Sequence, residues 1–124
     1  MSSRAERVGE RIREELMDLI LRGEIKDPGT RGAVVHAVRV TGDLRQATVY
    51  IRASEPDLPE RRREALVAGL RRAAGFARRQ LAQRLELRHA PELRFEWDES
   101  ADRAARIEDL LSEIKRDEQG DPEP

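Results

Sequence analysis

The spacing of apolar residues predicts an α+β domain with the order α-β-β-α-kink-α-β-α, in which helices cover the apolar face of a three-stranded sheet. Three observations lead there. Apolar residues recur at helical spacing over 8–20, 66–85 and 104–114. Apolar and polar residues alternate, as in half-buried strands, around 33–40, 47–53 and 93–97. Glycine and proline punctuate the chain where the period changes, at Gly23, Pro28-Gly29, Gly42, Pro56 and Pro91.

The first helix opens on Ser3-x-x-Glu6, a capping box whose side chains satisfy orphan N–H groups. Val8, Ile12, Leu16, Leu19 and Ile20 form its apolar face, and Gly23 stops it. The turn formers of Lys26–Gly32 follow. Ala33–Val40 is the first strand, with Val34, Val38 and Val40 on one side. A turn at 41–44 leads to the second, where Ala47, Val49, Ile51 and Ala53 share the buried face; the two form an antiparallel hairpin. Pro56 breaks that strand, and Asp57-x-x-Glu60 signals the next helix cap. Leu66, Val67, Leu70 and Ala74 line this helix, Gly75 interrupts it, and Ala77, Leu81 and Leu85 continue the stripe. Leu93, Phe95 and Trp97 share a face of the third strand. Ser100 caps a last helix whose stripe is Ala104, Ile107, Leu110, Leu111 and Ile114. Residues 117–124 are an acidic, frayed tail, leaving 1–116 as one domain.

The 124 residues suit a single domain, too small for a deep cleft with a lid. With 3% aromatic residues the core is aliphatic, and with no cysteine there is neither a disulfide framework nor a thiolate metal site. Residues Met1–Arg7 are polar, and no apolar run approaches a bilayer's thickness, so a soluble cytoplasmic protein without membrane contact is expected. His36 and His89 lie in separate elements, and no nucleophile elbow or phosphate-binding glycine loop is present. The carboxylates Asp98, Glu99 and Asp102 suit a helix start. An enzyme is not expected, nor a metal or other cofactor.

A net charge of −1 conceals strong segregation. Residues 61–90 carry nine basic and two acidic side chains, whereas 91–124 carry five basic and twelve acidic. Centred in the basic segment is Arg71-Arg72-Ala73-Ala74-Gly75-Phe76-Ala77-Arg78-Arg79. A glycine inside a helix costs about 1 kcal/mol relative to alanine, so it has a reason. Close helix packing, a chain reversal and backbone approach by a ligand all supply one. The arginines largely lack acidic neighbours at helical spacing, and phosphates would compensate their field. Sparse aromatics argue against base stacking and favour backbone and shape recognition.

Several stretches together resemble ribosome-binding factor A, a bacterial small-subunit maturation family, over about Arg4 to Arg116. Val40-Thr41-Gly42-Asp43-Leu44 with Ala47, Val49 and Tyr50 is similar to the family's hairpin. Ala73-Ala74-Gly75-Phe76 resembles its A-x-G kink, and Pro91, Leu93, Phe95, Asp98, Ser100, Arg106, Ile107, Leu110, Leu111 and Ile114 resemble its closing pattern. The resemblance implies a type II KH-like fold, with the kink where other KH domains carry G-x-x-G. It also implies a monomeric, non-enzymatic assembly factor that binds the immature small (30S) subunit, its 16S rRNA and ribosomal proteins, and assists late rRNA processing and folding. The RNA-binding residues expected are Arg71, Arg72, Ala73, Gly75, Arg78, Arg79, Arg84 and Arg88. The short acidic C-terminal tail departs from members with a longer basic one. A generic KH-type RNA-binding module and a protein-interaction domain using its sheet edge are the alternatives.

Overall fold

The computed structural model describes residues 3–118, and its elements follow the expected order. They are α1 (Arg4–Leu21), β1 (Ala33–Val40), β2 (Gln46–Ala53), α2 (Glu60–Arg72), α3 (Ala74–Arg84), β3 (Glu92–Trp97) and α4 (Glu99–Glu118), with a 3₁₀ turn at Pro28–Thr30 before β1. The strands form one sheet in the order β1-β2-β3. The β1–β2 pair is the antiparallel hairpin, and β3 returns parallel to β2 with Gln46 opposite Glu92 and Ile51 opposite Trp97.

Local chemistry explains the boundaries. The Ser3 hydroxyl accepts from the Glu6 N–H at 3.1 Å, capping α1. At its other end Gly23, at φ 69°, donates to the Ile20 carbonyl while Glu24 donates to Leu19, the paired bonds of a Schellman motif. Two caps differ from expectation. α2 starts after Pro59 with no side-chain cap; Asp57 lies two residues before that cap position, at φ 55° rather than in the extended backbone of an N-cap. At α4 the cap is Asp98, whose carboxylate accepts from the Ser100 N–H at 3.0 Å, rather than Ser100 itself.

The core lies between the sheet and three helices. Ile12, Leu16 and Leu19 of α1, Leu66 and Leu70 of α2, and Ala77 and Leu81 of α3 pack on Val35, Val49, Ile51 and Phe95. A bulge between Val35 and Ala37 shifts the alternation, so Val35, not Val34, joins Val38 and Val40 on the α1 side. Gly9 lets α1 approach β1: a Cβ there would lie 2.8 Å from the Val38 carbonyl oxygen. Gly69 serves the same purpose where α2 meets the turn, with Thr30 Cγ2 at 3.0 Å from its notional Cβ. The fourth helix does not join this layer: Ile107, Leu110, Leu111 and Ile114 are exposed. It also runs through Asp117 and Glu118, two positions into the expected tail, and residues 119–124 lie outside the described residues. No described helix is long and apolar enough to cross a membrane.

Candidate nucleic-acid interface

The kink breaks the helix two residues earlier than the glycine suggested. Ala73, at φ −88° and ψ 0°, ends α2 and precedes α3, whereas Gly75 lies within the first turn of α3. Gly75 is exposed, and a Cβ there would meet only Arg79 Nη1, at an ordinary 3.5 Å. Neither close packing nor a positive φ requires glycine at this position. What the missing side chain leaves is open surface over the first turn of α3, with the Arg79 guanidinium beside it.

The arginines around the kink fall into three groups. Arg72 and Arg84 are neutralised within the fold. Arg72 forks onto Asp27, at 2.7 and 3.2 Å, tying α2 to the 3₁₀ turn. That bond holds the Asp27 carboxyl below the usual carboxylate range, helped by the Gly29 N–H. Arg84 reaches Asp18 at 2.6 Å, Glu15 at 2.9 Å and Glu24 at 3.0 Å, fastening α3 to α1. Hydrogen bonds to Asp18 and Glu15 raise its pKa further. Its charge belongs to that clamp.

Arg71 and Arg78 form the second group. Each uses its Nε–H on a backbone carbonyl, Arg71 on Phe95 at 3.2 Å and Arg78 on Ala90 at 3.0 Å. A carbonyl fixes the side chain without cancelling its charge, so part of the ordering entropy is met before any ligand arrives. Arg79 and Arg88 form the third group: both are exposed, and neither has a carboxylate partner among the described residues. Four of the expected residues thus keep a full positive charge in or beside α3. Arg94 was absent from the expected set; it lines a shallow groove with Arg71, Ala74 and the exposed edge of β3. Only the pairing of β3 with β2, which leaves β3 as the edge strand beside the kink, brings it there.

Three of the four aromatic side chains, Phe76, Phe95 and Trp97, are occupied. Phe95 is buried, and Phe76 packs against the core. Trp97 donates from Nε1 to Asp102 at 2.9 Å and lies under the Arg63 guanidinium at 5.2 Å. A surface of arginines without free aromatic faces suits phosphate and shape recognition. His36 belongs to a polar cluster at the α4 root: its Nε2 lies 2.9 Å from Arg52 and 3.6 Å from Asp98.

Comparison with known proteins agrees with this fold. A curated ribosome-binding factor A from Magnetococcus marinus is 45% identical over 116 residues, covering 93% of this chain and 91% of its own. The crystal structure of ribosome-binding factor A from Thermus thermophilus superposes with a TM-score of 0.61 at 24% identity, covering 76% of this chain and 96% of that one. Coordinates of the Thermus thermophilus factor fitted into the cryo-EM map of a 30S–RbfA complex give 0.58 at 25% identity, covering 73% and 91%. The sequence profile of ribosome-binding factor A matches residues 4–111, and with that span and that curated relative the chain belongs to the ribosome-binding factor A family.

Proposed function

We propose that this protein is an assembly factor that binds the immature small ribosomal subunit and holds one conformation of its 16S rRNA during late processing and folding. Family membership carries the reading, because a relative of the same fold has been fitted into the map of a 30S complex. The geometry supports a location for contact. Arg71, Arg78, Arg79 and Arg88 present uncompensated charge around the open first turn of α3, next to the groove at the β3 edge. The mechanism is differential binding: the factor shifts an RNA equilibrium by its preference for one state, with no bond made or broken and no cofactor. The protein acts as a monomer in the cytoplasm, and residues 1–116 carry the binding.

Sedimentation of a lysate through a sucrose gradient tests this directly. The protein is expected with free small subunits, and a protein that stays at the top of the gradient overturns the proposal. Arg79→Glu with Arg88→Glu is expected to lower subunit affinity at least tenfold while leaving thermal unfolding nearly unchanged, since neither side chain is tied to another described residue and the loss of phosphate contacts acts on binding alone. Equal affinity for short isolated RNAs would point instead to a generic RNA-binding module. The sheet-edge alternative has less support. The Arg71 side chain occupies the β3 edge at Phe95, and the Val35 N–H of β1 already donates to Met17 Sδ at 3.1 Å.

A further inference from the structure

Helix α4 carries an apolar stripe that no other element covers among the described residues. Ile107, Leu110, Leu111 and Ile114 fall on one helical face, and each is between 50% and 57% exposed. The root of the helix, in contrast, is held firmly. Asp98 is buried, caps α4 through Ser100 and meets Arg52 at 3.3 Å. One turn later Asp102 accepts from both Trp97 and Arg63. Beyond Asp102 the side chains of α4 are exposed all round, so a helix with a fixed origin projects its stripe away from the core. Helices without tertiary support are marginal in water, and four large aliphatic side chains in a row make a docking face rather than a solvated one.

Charge selects the occupant. From Glu108 to Glu118 the helix carries five acidic residues and two basic ones. RNA is repelled by that surface. A second copy would bring Glu108, Asp109 and Glu113 against their own equivalents. We propose that α4 docks its stripe on a basic, apolar-faced segment of a small-subunit protein, in which lysines or arginines flank aliphatic residues. The inference rests on the small-subunit reading, which supplies the particle where such a segment meets this chain. It adds a second contact of different chemistry: arginines near the kink for RNA, an acidic apolar helix for protein.

The test uses the full chain with Ile107→Gln and Leu111→Gln, exposed positions where glutamine keeps helix propensity. Affinity is measured for small subunits and for protein-free 16S rRNA. The expected result is a loss of about tenfold on subunits and no change on protein-free rRNA. Unchanged affinity for subunits, or an equal loss on both, overturns the inference. Sedimentation equilibrium of the chain alone addresses the second copy: a wild-type dimer that the variant abolishes also overturns it. Arg79→Glu with Arg88→Glu lowers binding to both substrates, so failure of the RNA surface is read separately. A wild-type chain that binds neither substrate overturns both readings.

Discussion

Gly9 and Gly75 both lie in helices, yet the same substitution acts on them in opposite directions. At Gly9 a methyl group would sit 2.8 Å from the Val38 carbonyl oxygen, a backbone atom that cannot swing aside. Gly9→Ala must therefore push α1 away from β1, and a loss of about 1–3 kcal/mol is expected in denaturant unfolding, helix propensity recovering part of it. At Gly75 the methyl meets open solvent and the flexible end of Arg79. Gly75→Ala is expected to raise stability by up to about 1 kcal/mol, because only the propensity gain remains. If the open turn exists for a phosphate backbone, the same variant binds small subunits more weakly. A Gly75→Ala protein that is both more stable and fully competent would show that the glycine serves neither fold nor binding. The sequence made Gly75 conspicuous through its arginine neighbours. Gly9 carried no such mark, since the strand it touches is 29 residues away.

Among the elements, α4 depends most on a single side chain. Burial pushes the Asp98 carboxyl up, but hydrogen bonds from the Ser100 hydroxyl and N–H, with the charges of Arg52 and His36, outweigh this and hold it below the usual carboxylate range. A carboxylate depressed in the folded state stabilises above its unfolded pKa, near 3.9, and that stabilisation is lost as pH falls through the folded value. Thermal unfolding is therefore expected to vary little between about pH 7 and 5 and to weaken below about pH 4. Asp98→Asn should cost roughly 1–2 kcal/mol at pH 7, and its difference from wild type should shrink on acidification. A pH-independent difference would rule out the charge as the cause. Periodicity and turn residues are local signals, which is why the order of elements was legible from residue types alone. Contacts between elements were not. The bulge at His36 moved Val34 off the α1 side, and the cap of α4 passed from Ser100 to Asp98. The stripe from Ile107 to Ile114 announced a helix but not whether anything covers it.

For the whole molecule the decisive property is where positive charge stays uncompensated. Counting arginines along 61–90 gave all of them equal standing. Folding separates them, because Asp27 is 45 residues from Arg72 and Glu15 is 69 from Arg84, distances over which sequence carries no pairing signal. The separation has a thermodynamic signature. Each phosphate neutralised by a cation steepens the fall of log affinity with log salt by about 0.9 on duplex and about 0.7 on single strands. Arg79→Ala with Arg88→Ala should reduce that slope by roughly 1.4–1.8, with little change in Tm, because neither residue bonds to the fold. Arg84→Met should do the reverse. It leaves Glu15, Asp18 and Glu24 facing one another without their cation, so Tm falls while the slope stays at the wild-type value. Arg72→Ala should follow Arg84, more weakly, since its pair with Asp27 is exposed and screened. Measured slopes that drop equally for Arg84→Met and for the Arg79, Arg88 pair would mean that RNA competes successfully for the internal clamp, and that the basic surface is rebuilt on binding rather than presented ready-made.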